Sequence, residues 1–275
     1  MKNQSKIKKG TLAVGRFEIP YRIYGNEGPL IVCLNGVQQS MAMWHSFISR
    51  FFRTFRIVVF DFPNQGKGKI ISGTSTVVLD EQVEILEAVV KGANSTGQII
   101  LCAASWGGVV ALLYAMRNQA RIHTLILASM GTKPNERMVE TIKKGMALSP
   151  ESRQEMSETL IQSFGQNLPE TVKEKIVTQF RTMSREKLDS FYEHGLFVLS
   201  TKQLTDLVDL KSIRTKTILI SGESDSIIDQ DDVRFLASQL PNSELKVIKN
   251  VGHYLHLEDK TVLDIYEDIL TQVIA

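Results

Sequence analysis

Cysteine is scarce: two in 275 residues. That excludes a disulfide framework and a four-cysteine metal site, and it predicts a reducing compartment. Neither sign of charge dominates, because 32 Lys and Arg face 30 Asp and Glu for a formal charge of +2. So even a balance gives no electrostatic reason to propose nucleic acid or a membrane surface as the main partner. No run of about 18 apolar residues occurs, so no membrane span is expected. The start, Met1 to Gly10, is basic through Lys2, Lys6, Lys8 and Lys9, but no apolar run follows it. The expectation is a cytoplasmic protein without a secretory segment. Also missing are a repeat, a low-complexity tract, a GxGxxG after the first buried strand, and a P-loop. Gly66-Lys67-Gly68-Lys69 lacks the Ser or Thr that a P-loop lysine needs beside it. No cofactor is expected.

What is present is 43 % hydrophobic residues, enough for a sizeable core. Leu30–Leu34 (LIVCL) is a continuous apolar run bounded by Gly-Pro and Asn-Gly, as in a strand buried on both faces. Ile57–Phe60, Ile99–Ala104, Leu125–Ala128 and Thr217–Ser221 repeat it, and Glu244–Ile248 is a weaker, alternating version. Thr11–Val14 and Phe17–Tyr24 read as a strand pair. Leu79, Val83, Leu86 and Val90 mark one helix face; Gly108–Arg117 and Leu257–Ile274 are further helices. Strands alternating with helices predict an α/β fold with a mostly parallel, doubly wound sheet.

The alternation stops between Gly131 and Leu210. There Pro134–Leu148, Pro150–Phe164, Pro169–Met183 and Ser184–Leu199 read as helices, with Pro150 and Pro169 at first turns. The expected organisation is a core of residues 1–130 and 211–275, with a helical cap inserted at 131–210.

Ile99–Gly108 (IILCAASWGG) is a buried strand, a turn of small residues and a helix, with Ser105 at the turn. It matches the G-x-S-x-G nucleophile elbow with Ala103 at the first glycine. Small residues are needed because strand and helix crowd past a strained serine. Asp225 follows the Thr217–Ser221 strand, and His253 precedes the last helix. The order Ser105, Asp225, His253 has separations of 120 and 28 residues, room for the cap plus one strand–helix unit and then for one helix and strand. In this reading Ser105 is the nucleophile, His253 its base and then acid, and Asp225 orients the imidazole. The oxyanion would be held by the backbone N–H groups of Trp106 and Val37. Asn35 either braces the Asn35–Gly36–Val37 loop or simply forms the turn. With Gly36 and Met130 it is assigned to the substrate side of the site.

Other candidates carry blander readings. His256 is expected at the surface or rim, and His45, His123 and His194 are scattered, so no metal site is expected. Cys33 and Cys102 read as small core residues. Asp229 and Asp231 are weaker rivals to Asp225. Met130, Met138, Met146, Met156 and Met183 would suit a flexible alkyl pocket, yet helix packing is the preferred account. Lys143, Lys144, Arg181, Arg185 and Lys187 are read as solvated cap faces, with a docking patch as the alternative.

These stretches resemble the α/β-hydrolase fold with a helical cap. Leu34-Asn-Gly36, Val58-Val-Phe-Asp-Phe-Pro63 with Gly66, Asp80-Glu-Gln-Val-Glu-Ile-Leu86, Ala104-Ser-Trp-Gly-Gly108 and Gly252-His-Tyr-Leu-His-Leu-Glu258 are similar to the 3-hydroxyacyl-ACP acyltransferases of rhamnolipid and polyhydroxyalkanoate precursor synthesis. The cap resembles them poorly. The resemblance implies acyl transfer from a thioester through acyl-Ser105, with an acyl carrier protein as a candidate partner beside the small acyl substrate. A carboxylesterase or thioesterase is the alternative, and an inactive ligand-binding member of the fold a third.

Overall fold

A computed structural model describes residues 7–93, 97–147, 152–200 and 203–274. Lys2, Lys6, Leu148 and Pro150 lie outside the described residues. Along the chain run β1 (Lys8–Val14), β2 (Phe17–Tyr24), β3 (Leu30–Leu34), α1 (His45–Phe51), β4 (Arg56–Phe60), the short β5 (Lys69–Ile70) and α2 (Leu79–Gly92). Next come β6 (Ile99–Ala104), α3 (Trp106–Asn118) and β7 (Ile122–Ala128). Four helices intervene: α4 (Glu136–Ala147), α5 (Arg153–Phe164), α6 (Glu170–Thr182) and α7 (Arg185–Ser200). The chain then returns with β8 (Lys216–Gly222), α8 (Gln230–Gln239), β9 (Ser243–Ile248) and α9 (Val262–Ile274).

One sheet has the order β1-β2-β4-β3-β6-β7-β8-β9, with β5 paired to β2. β1 and β2 are antiparallel to their neighbours, and β4, β3, β6, β7, β8 and β9 are parallel to one another. This is the mostly parallel, doubly wound sheet with an inserted helical cap that the strand–helix alternation predicts. The period-2 geometry of a strand explains the continuous apolar runs. Leu30, Val32 and Leu34 pack into one core layer with α2, α3 and α8, while Ile31 and Cys33 pack into the other with α1 and α9. β6 divides in the same way, with Leu101 and Ala103 on one face and Ile100 and Cys102 on the other. β9 has only β8 beside it, and none of its residues is fully buried. Solvent on that edge is why its sequence signal is weak.

The cap has a small core of its own, in which Met156, Phe180, Met183 and Leu188 are buried. It also bonds directly to the sheet domain. Gln179 Nε2 donates to the Gln38 carbonyl (2.9 Å), Ser226 Oγ to the Ser163 carbonyl (2.5 Å), and Lys187 Nζ to the Gly66 carbonyl. The Ser75 and Thr76 hydroxyls donate to Glu193 (2.6 and 3.0 Å). Pro169 caps α6 rather than entering its first turn. The last helix begins at Val262, not Leu257, because Leu255–Leu257 closes as a 3-10 turn and Asp259 takes the Thr261 N–H at 2.8 Å. Among the described residues no helix is long and apolar enough to cross a membrane.

Where the chain leaves β7 for the cap, Asp232 of α8 reaches across. Its carboxylate accepts the Thr132 hydroxyl and the backbone N–H groups of Thr132 (2.6 Å) and Lys133 (3.2 Å). Asp232 is buried, so removing it strands those donors away from water. Asp232→Ala is expected to cost about 2–4 kcal/mol, because hydrogen bonds to a charged group are the strong ones and the orphaned donors add a penalty. Urea denaturation of the two proteins measures this.

Candidate active site

The sheet order reverses at β3 and β6, where one crossover leads to β4 and the later chain returns on the other side of β3. In open α/β sheets the crevice at such a switch point, beyond the strands' carboxyl ends, is where ligands bind. Ser105 follows β6 there, at the cap of α3. Its backbone sits at φ 48°, ψ −118°, a left-handed conformation that costs a non-glycine residue of order 1–3 kcal/mol. The turn is pinned by the Ser105 N–H donating to Ala128 O (2.8 Å) and the Gly108 N–H donating to Ser105 O (2.8 Å). A side chain at position 107 would have its Cβ 2.7 Å from Asn35 O, so glycine lets α3 press against the loop after β3. That loop passes just as close to the serine: a Cβ on Gly36 would lie 3.3 Å from Ser105 Cβ.

The chain after β8 delivers Asp225 and the chain after β9 delivers His253. Asp225 Oδ2 lies 2.8 Å from His253 Nδ1, and Asp225 Oδ1 accepts the N–H groups of Ile227 (3.0 Å) and Ile228 (3.2 Å). Asp225 is fully buried. Burial alone would push the His253 pKa down. The Asp225 charge, the hydrogen bond to it, and the Glu258 charge outweigh burial and hold the ring above its ordinary 6.5. His253 and Ser105 line one cavity of about 350 Å³, with Gly36 and Val37 on its wall. The structure draws no hydrogen bond between the Ser105 hydroxyl and the ring; the two are brought together as neighbours on that wall. Among the described residues, neither the Val37 nor the Trp106 backbone N–H has an acceptor. Both residues line a second cavity of about 100 Å³ beside Ser105, and Met130 does too.

Asn35 lies elsewhere than expected. It is buried behind the loop, its Nδ2 donating to Phe60 O (2.8 Å) and its Oδ1 accepting Trp44 Nε1 (2.9 Å). Asn35 braces the loop and lines neither cavity, because both ends of its amide are spent on the core. His256 is likewise not at the rim. It is buried and stacked on Trp44 (5.7 Å, 27°), with Nε2 against Met43 O at 3.2 Å. Asp229 caps α8 and accepts Asn135 Nδ2 at 2.9 Å, and Asp231 pairs with Arg234. Met138, Met146 and Met156 line the large cavity, whereas Met183 fills the cap core. Lys143, Lys144, Arg181 and Arg185 are exposed, and Arg185 pairs with Asp189. Among the described residues no group of three His, Cys, Asp or Glu could hold a metal ion.

Two supports have no sequence signal of their own. Ser129, at φ 52° after β7, donates its hydroxyl to the His253 carbonyl at 2.6 Å. Glu258 accepts the N–H groups of Gly252 (2.7 Å) and Tyr254 (2.9 Å), clasping the histidine from both sides. Glu258 stands in the GHYLHLE stretch, but its backbone partners are visible only once that stretch has turned.

Residues 29–260 match a family model described as alpha/beta hydrolase fold. The chain is 24 % identical to the proline iminopeptidase PfmaB of Pestalotiopsis fici, covering 88 % of this chain and 91 % of that protein. It is 21 % identical to the (R)-3-hydroxydecanoyl-ACP:CoA transacylase of Pseudomonas aeruginosa, covering 93 % and 86 %. A thermophilic esterase from Thermogutta terrifontis superposes with a TM-score of 0.78 at 21 % identity, covering 97 % of this chain and 99 % of that one. The shared property is the fold; the names of these proteins span different reactions.

The neutral imidazole is the form that can accept a proton, so kcat/KM is expected to rise with pH through a value above 6.5. Glu258→Gln removes one of the charges that raise His253 while keeping an acceptor oxygen. Its acid limb should move to lower pH. A pH profile of kcat/KM on a p-nitrophenyl ester reads both, and a limb that stays in place would show that Glu258 acts on position alone.

Proposed function

The chain belongs to the alpha/beta-hydrolase-fold family, and from that premise we propose that it is a serine acyltransferase acting on medium-chain 3-hydroxyacyl thioesters. The observation that carries this reading is the 350 Å³ cavity over Ser105. Apolar side chains of α4, α5, α6 and α7 make most of its wall, among them Ile142, Leu160, Phe164 and Ile176. Pockets of about 300–1,000 Å³ with apolar walls and few polar groups suit small organic ligands, and here the cap helices supply most of the lining while Ser105 and His253 come from the sheet domain. An acyl chain fits that division, its tail among the cap helices and its carbonyl at Ser105. The helical segment 131–210 then acts as the domain that selects the chain.

The Ser105 hydroxyl gives its proton to His253 and attacks the acyl carbonyl, while the Asp225 carboxylate stabilises the imidazolium. The developing oxyanion takes hydrogen bonds from the free N–H groups of Val37 and Trp106, donors that need no reorganisation at the moment of reaction. The proton returns to the departing thiolate, leaving acyl-Ser105. An acceptor hydroxyl or thiol, deprotonated by His253, then attacks in place of water. The apolar cap walls suit an acyl group beside Ser105. The transacylase likeness adds the carrier-protein or coenzyme A thioester as donor.

Hydrolysis of an ester or thioester is the second reading, favoured by the likeness to an esterase fold and to a peptidase. It uses the same residues with water as acceptor. Incubation with a 3-hydroxydecanoyl carrier protein and coenzyme A, followed by mass spectrometry, separates the two. Transfer yields 3-hydroxydecanoyl-coenzyme A or a 3-hydroxyacyl ester dimer. Free monomeric acid as the sole product would establish the hydrolase instead. Ser105→Ala should lower either activity by on the order of 10⁴-fold or more, since triad members act as a unit.

A further inference from the structure

Ser105 is shared by two cavities. The larger, of about 350 Å³, is walled mostly by the cap helices and has His253 on its wall. The smaller, of about 100 Å³, has Ser105 and Val37 in common with it but not His253. Most of the smaller wall is apolar: Val109 of α3, Met130 after β7, Leu204 and Leu207 after α7, and Ile228 after β8. Its polar side chains besides Ser105 are few. Trp106 Nε1 donates to Gln82 Oε1 (2.9 Å), the Thr132 hydroxyl donates to Asp232, and Lys133 is exposed to solvent. The wall is also fixed. Met130, Leu204 and Ile228 are buried in the core of the sheet domain. The Leu204 N–H donates to Thr132 O (2.6 Å), Asp232 accepts the Thr132 N–H (2.6 Å), and Asp225 accepts the Ile228 N–H (3.2 Å). A pocket so tied keeps its size, unlike the methionine-lined wall under the cap.

We propose that the smaller cavity is a subsite for a short alkyl branch on the carbon next to the reacting carbonyl, so that the substrates include α-branched acyl esters or thioesters. The inference rests on the acyl-Ser105 reading above and adds a branch to the chain proposed there. Three directions lead away from a carbonyl carbon under attack by Ser105. The oxygen goes to the candidate N–H donors. The leaving or accepting group exchanges a proton with His253, which places it in the large cavity. The acyl side is what remains for a wall that Ser105 lines and His253 does not. With the tail among the cap helices, a group reaches this second wall only from an atom close to the carbonyl. Apolar walls ask for an alkyl group, and leaving them uncovered forfeits dispersion contacts. At roughly 30 Å³ for each water-sized group, the space suits a branch of about one to three carbons. The arrangement is also handed. Only one enantiomer at the branched carbon puts its tail under the cap and its branch here.

The test compares p-nitrophenyl hexanoate with the (R)- and (S)-2-methylhexanoates, nitrophenol release being the readout. The enantiomers share one intrinsic reactivity, so a difference between them comes from the site. The wild type should favour one of them by about tenfold or more in kcat/KM, as a fitted apolar pocket does for one methyl group. Val109→Phe fills the cavity, and the favoured enantiomer should then lose about tenfold or more relative to the straight hexanoate. Leu207→Ala enlarges it and should raise the 2-propyl ester relative to the 2-methyl ester. General damage would lower all the esters together and leave these ratios alone. Labelling of Ser105 by a fluorophosphonate probe checks that each variant retains its site. If Val109→Phe does not fold, Leu207→Trp is read in its place. Wild-type enantiomers turned over within about twofold of each other overturn the proposal, and so does a branched-to-straight ratio that the filled variant leaves within about twofold. A filled variant that discriminates instead among hexanoates branched in the alcohol puts the cavity on the leaving side, which also overturns it. If Ser105 takes no probe and no ester is turned over, the acyl-Ser105 reading itself falls, and the branch subsite with it.

Discussion

The site depends on one close approach, that of the β6–α3 turn to the loop after β3. Ser105 can hold a left-handed backbone only because its surroundings leave no alternative. Its N–H is bound to β7, its carbonyl accepts the Gly108 N–H, and α3 leans on the Asn35 carbonyl where position 107 has no side chain. The same approach brings Gly36 against Ser105, and Val37 and Trp106 line one cavity beside it. Strain at the serine and preorganisation of the candidate oxyanion hole thus have a single cause. Asn35 secures the far side of the contact. Its amide ties the loop to β4 through Phe60 and to Trp44, whose ring packs against Phe47 and His256. A loop anchored in the aromatic layer resists the displacement that the approach would otherwise drive.

Electrostatics follow the same economy. His253 is nearly enclosed, and an isolated imidazole there would lose its proton affinity to desolvation. Two carboxylates prevent that. Asp225 bonds the ring directly, while Glu258 acts through charge and by holding the backbone on either side of it. His194 shows the opposite outcome in the same molecule, pulled to about 4 by desolvation. The contrast separates a base from a neutral hydrogen-bonding group, and neighbours alone make the difference.

Much of the sheet domain could be read from the residues because its rules are local or periodic. A strand buried on both faces must be continuously apolar, and β3 and β6 have the bounds their runs predict. Ser105, Asp225 and His253 were legible as a set because the fold places each after a parallel strand, a regularity of order rather than of contact. The residues that escaped reading act through partners far away in sequence. Asp232 meets the Thr132 backbone 100 residues back, Ser129 meets His253 across 124 residues, and His256 meets Met43 across 213. Nothing in a window of neighbouring residues encodes such pairs. Asn35 divides in the same way: its type suits a turn or a brace equally, the bonds to Phe60 and Trp44 select the brace, and the substrate-side assignment falls with them.

The methionines carry the argument about the cap. Packing alone would explain them, and it does explain Met183. Met138 and Met146 line a cavity, Met156 is buried in the cap core and also reaches that wall, and an unbranched, polarisable side chain can follow the shape of whatever enters. A wall so built tolerates variation in a flexible chain, and discrimination must then come from elsewhere. The end of the cavity at Ser105 and His253 is fixed by the elbow and the β3 loop, and polar side chains of the cap, Thr141 and Gln179 among them, stand on the same wall. In the proposed acyl-enzyme reading the fixed elbow sets the reaction and the adaptable cap admits the tail.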